Sequence, residues 1–143
     1  MAKQKYKWLD RRVAKPGPYL CLCLTPEEMN HAAKGLTKWP LVFPEWGASA
    51  QLFVKDGTNF PVAVVSLATD SQKTCSAIEI AGMLVHEAVH IWQYHAEKMG
   101  ETKPADEQEA YAVQAISQGF FKPSSTVVTS ILGTFIPPPC PSE

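Results

Sequence analysis

Leu84-Val85-His86-Glu87-Ala88-Val89-His90-Ile91-Trp92-Gln93 is the stretch on which the reading of this chain turns. On a helix, a spacing of four residues puts both imidazoles on one face, one turn and about 6 Å apart along the axis. The flanks predict such a helix: Ser76-Ala77-Ile78-Glu79 fits a capping box, and Gly100 supplies the stop beyond Met99. Ile78, Ile80, Ala81, Met83, Leu84, Val85, Val89, Ile91 and Trp92 make it apolar nearly all round, which predicts a buried helix. Two histidines and a carboxylate on a buried helix must pair or bind something.

Two imidazoles one turn apart can reach one metal ion, and zinc suits histidine. Glu87 follows His86 directly, so it flanks the metal position and can serve as general base for metal-assisted hydrolysis. Composition alone would produce this five-residue pattern roughly 0.008 times in a chain of this kind. Zinc needs a third protein ligand. The metzincin pattern would place Gly at 93 and His at 96, where this chain has Gln93 and Ala96. His95 is one position off, faces away from His90, and is read as a surface residue or, at best, one that supports a metal ligand from behind. A glutamate from a following helix is the other route, and Glu109 lies nineteen positions after His90. Glu109, Ala112, Val113 and Ile116 share the apolar face of that helix, whereas Glu107 shares its face with Tyr111 and Gln114 and is read as exposed. The expected centre is one zinc per chain on His86, His90 and Glu109.

Outward from this core, the chain has 143 residues, 45% hydrophobic and 19% charged, which excludes a wholly disordered polymer. A formal charge of -1 lacks the basic excess of a polyanion-binding protein, so nucleic acid is not an expected partner. No apolar run approaches the ~18–20 residues of a membrane span. The six-residue run Tyr19–Leu24 behind a basic N-terminus is too short for a secretory signal, so a cytoplasmic protein with reduced thiols is expected. Cys21 and Cys23 fall on one face of a strand and read as small apolar residues; no Cys-x-x-Cys pair occurs among the four cysteines.

The remaining elements follow from local signals. Residues 1–18 form a basic arm, 19–136 a single domain, and 137–143 a proline-rich tail. Tyr19–Leu24 reads as a strand; Thr25-Pro26-Glu27-Glu28 caps a helix running to Lys34 and stopping at Gly35. An irregular aromatic loop covers Leu36–Gly47. Gln51–Lys55 and Phe60–Leu67 read as strands joined through Asp56-Gly57. A last helix opens at Pro104 and ends near Gly119, and a short element is expected over Val127–Phe135.

His86, Glu87, His90 and Glu109, with their spacing, resemble the gluzincin metallopeptidases, especially the smallest single-domain members. The wider context, Leu84 to Gln93 and then Glu109-Ala110-Tyr111, is similar to small predicted peptidases of bacterial and phage genomes. The resemblance covers about residues 60–120. It implies an α+β, zincin-like fold in which a small mixed sheet packs on the active-site helix and a glutamate-bearing helix. It further implies that Phe60–Leu67 is the sheet edge beside the cleft, where a peptide substrate pairs as an added strand. The family pattern also has an aspartate four residues after the ligand glutamate, and this chain has Val113 there. For a transition-state stabiliser the sequence offers Tyr111, with Tyr94 as a second candidate by residue type. The expected function is zinc-dependent hydrolysis of peptide or protein substrates. The rival is a non-catalytic zinc-binding structural or scaffold protein, phage-associated, that keeps the metal helix for stability. The sequence leaves the oligomeric state open.

Overall fold

The computed structural model describes residues 18–55 and 61–121. The arm over 1–17, the Asp56-Gly57 connection, the Val127–Phe135 element and the tail lie outside them. The order of elements is β1 (Tyr19–Cys23), α1 (Pro26–Ala33), β2 (Ala48–Val54), β3 (Pro61–Leu67), α2 (Thr69–Thr74), α3 (Ala77–Lys98) and α4 (Asp106–Phe120). This is a mixed α+β arrangement with a three-stranded sheet and, among the described residues, four helices. None is long and apolar enough to cross a membrane.

Strand order is β1-β3-β2, with β1 parallel and β2 antiparallel to β3. The strand expected over Phe60–Leu67 is therefore the middle of the sheet and not its edge. Pro61-Val-Ala-Val-Val-Ser-Leu explains this: Val62 to Leu67 are all buried, as a strand covered on both faces must be. The edge beside α3 is β2, which begins at Ala48, three residues before the expected start. Alternation sorts the side chains into two cores. Leu20, Leu22, Ala63, Val65 and Leu67 meet Leu84, Ala88, Ile91 and Trp92 of α3 and Ile116 and Phe120 of α4. Cys21, Cys23, Val62 and Val64 meet Met29 and Ala32 of α1 on the other face. The sheet is thus sandwiched, with α3 and α4 on one side and α1 on the other.

Local chemistry sets the helix ends. Thr25 caps α1 by accepting from the Glu28 amide, and Pro26 opens it. Ser76 and Glu79 close the expected capping box: the Ser76 amide donates to Glu79 Oε2 at 2.7 Å, and the Glu79 amide donates to Ser76 Oγ. The backbone donor at Ser76, then its hydroxyl, holds the Glu79 carboxyl below its ordinary value. At the far end Gly100 sits at φ 79°, with its amide on Glu97 O and the Glu101 amide on Ala96 O. That is a Schellman stop, and a side chain at Gly100 would be strained.

The six-residue α2 is absent from the sequence expectation, because Thr69–Thr74 is polar and shows no helical apolar period. Tertiary bonds hold it. Gln72 Nε2 donates to Leu24 O at 2.9 Å and to Leu67 O at 2.7 Å, and buried Ser71 Oγ accepts from the Gly47 amide at 2.7 Å. The ends of β1 and β3 and the start of β2 are thereby tied at one rim of the sheet. Gln72→Leu removes the shared donor, leaving both carbonyls without it. It is expected to cost about 1–3 kcal/mol, read as a lower urea midpoint at unchanged slope.

Candidate metal centre

α3 carries the histidine pair at mid-length, and the spacing does what helix geometry requires. His86 Nε2 and His90 Nε2 stand 3.0 Å apart, with ring centroids at 4.6 Å and planes at 80°. At that distance the two nitrogens share a hydrogen bond, a few tenths of an ångström short of the about 3.3 Å that two nitrogens on one tetrahedral ion at about 2.0–2.1 Å would span. His86 is exposed and His90 half-buried. Glu87 stands about 100° round the helix from His86 and about 60° from His90, and it is 7% exposed, on the stripe with Ile80, Leu84 and Ile91.

The helix is consequently not buried all round. Ile78 is 70% exposed and Val85 is exposed too, because the sheet and α4 cover only part of the circumference. That open sector is what leaves the imidazoles accessible. His95 is not at the surface, the first of its two expected places: it is buried and packs a tilted ring against Trp92 at 6.2 Å. It lies on the sheet-facing stripe with Ala88, Ile91 and Trp92.

Glu109 is half-buried on α4, on the inward face with Ala112, Val113 and buried Ile116, while Glu107, Tyr111 and Gln114 are exposed. The structure does not bring it into a group with the histidines: among the described residues, no three His, Cys, Asp or Glu side chains lie together as a metal-holding set. Helix lengths account for this. α3 continues eight residues past His90 to Lys98, about 12 Å, whereas α4 advances only three residues from Asp106 to Glu109, about 4.5 Å.

Tyr111 is 66% exposed on α4. The aromatic residue at the histidine pair is Tyr94, one turn beyond His90, whose ring lies parallel to the imidazole at 6.1 Å between centroids and 17° between planes. The same i, i+4 rule that pairs the histidines places it there. Tyr94 also lines a groove of about 360 Å³ between α3 and β2, with Ala50 to Phe53 on one wall and Glu97 and Lys98 on the other. Four consecutive β2 residues line it, as expected where a strand offers its edge. Sequence reasoning missed this groove because it assigned the edge to another strand. Comparisons with protein-family models, curated proteins and solved structures gave no match.

Proposed function

We propose that this chain is a zinc-dependent peptidase of zincin-like architecture, with His86, His90 and Glu109 as metal ligands and Glu87 as general base. The observation that carries the reading is the convergence of His86 and His90 Nε2 at 3.0 Å on the accessible face of α3. Zinc held there would supply Lewis-acid activation of a water molecule. The Glu87 carboxylate would accept the proton that water gives up on attacking a peptide carbonyl and return it to the leaving amine. Glu109 would have to move toward the pair to complete the ligand set. The β2 edge offers an extended peptide a line of backbone partners beside the groove. Tyr94 is exposed like Tyr111 but stands against His90, which makes it the better candidate to donate to a developing oxyanion.

A second reading is a non-catalytic zinc-binding scaffold, which a closed four-ligand zinc would favour and an open, water-bearing one would not. One sequence of measurements separates the two. Purified protein is expected to hold about one zinc per chain, and a chelator should lower its melting temperature, since the metal binds only the folded state. A melting point indifferent to zinc overturns both readings. Zinc-loaded protein that cleaves nothing in a peptide library leaves the scaffold.

A further inference from the structure

Cys21 and Cys23 flank Leu22 on β1, so both thiols leave the sheet on the α1 side. Both are 0% exposed, their Sγ atoms 3.8 Å apart, within an apolar cluster that includes Met29, Val62 and Val64. The spacing discriminates among the chemistries open to two thiols. A disulfide needs its sulfurs at about 2.05 Å and its Cβ atoms about 3.5–4.5 Å apart, less than the two-residue repeat that separates same-face side chains along a strand. Residues i and i+2 of a strand already stand about 6.4–6.8 Å apart, and β1 is held in register with β3 from Tyr19 to Cys23. A linear two-thiolate centre with bonds of about 2.3 Å would need about 4.6 Å, whereas a bent one needs about 3.8 Å or less. Zinc is bent but wants four ligands, and among the described residues no third His, Cys, Asp or Glu joins the pair. The Glu28 carboxylate on α1 and the apolar surroundings disfavour a product with net negative charge.

We propose that Cys21 and Cys23 form a vicinal-dithiol site for trivalent organoarsenicals, R–As=O. Two S–H bonds and the As=O bond break, two As–S bonds form, and the oxygen leaves with both thiol protons as one water; nothing is oxidised. The product is neutral, bent and complete with two protein sulfurs, because arsenic brings its own carbon as third substituent. α1, eight residues long, packs over the pair through Met29 and Ala32, so the reagent has to enter by local opening there.

The test treats the full chain under native conditions with phenylarsine oxide and reads intact mass, free thiols and peptide maps. One adduct per chain is expected, formed with loss of one water, removing two thiols and mapping to Cys21 and Cys23. A 1,2-dithiol should reverse it and an equal concentration of monothiol should not. Cys21→Ser and Cys23→Ser should each lose the stable adduct, while Cys75→Ser and Cys140→Ser keep it. Mapping on the parent chain decides the matter even where a serine variant folds poorly. An unreactive native chain, or an adduct mapped to Cys75 or Cys140, overturns the proposal.

Discussion

Glu87→Gln is expected to keep zinc and fold while turnover on a cleaved peptide falls about 10²–10⁴-fold. The amide matches the carboxylate in shape but cannot take a proton at neutral pH, so only the proton-transfer role is lost. Burial sharpens the expectation. At 7% exposure, beside the Leu84 and Ile91 stripe, a neutral amide is cheaper to desolvate than a carboxylate. The variant's melting temperature should accordingly match or exceed that of the parent. Zinc affinity, by chelator competition, and peptide turnover are measured on the same preparation. Loss of zinc in step with activity would make Glu87 a ligand; unchanged turnover would remove it from the chemistry.

Glu109→Ala should weaken zinc binding by more than about 100-fold, since replacing even an outer-shell partner of a metal ligand costs about 10–100-fold. Folded stability in the presence of zinc should fall with it. Without metal the same change should matter little, because Glu109 is half-buried at the N-terminal end of the inward face of α4 and belongs to no metal-holding group there. The contrast between zinc-loaded and metal-free melting is therefore diagnostic of a side chain recruited by the ion. Glu107→Ala is the control. It removes an exposed charge from the first turn of α4, worth about 0.3–1 kcal/mol through the helix dipole, and should leave zinc content unchanged. The reverse pattern would mean that the wrong face of α4 had been assigned. If neither variant loses zinc, the third ligand lies elsewhere and the gluzincin reading fails.

Much of the local structure was legible in the chain. Thr25 with Pro26, Ser76 with Glu79, and Gly100 mark helix ends through hydrogen bonds spanning three to five residues, so nothing distant could alter them. The i, i+4 spacing of His86 and His90 likewise settled which side of α3 they share. The split of α4 into an inward Glu109–Ile116 face and an outward Glu107–Tyr111 face was readable from its apolar period.

Tertiary structure alone decided how those faces meet. β3 became the middle strand through parallel pairing with β1, far away in sequence, and its antiparallel pairing with neighbouring β2 left β2 as the edge beside α3. The uninterrupted apolar run of β3 was the available signal. α2 exists through bonds from Ser71 and Gln72 to three strand ends, which no local propensity encodes. The same holds for burial on α3. Its sequence is apolar nearly all round, yet two neighbours cover only part of a cylinder, so Ile78, Val85 and His86 face outward while His95 is enclosed. The histidine pair is a property of one helix and was determined by sequence. The relation of Glu109 to it depends on where α3 stops, how 99–105 turns and where α4 begins, and only the packed chain sets those three together.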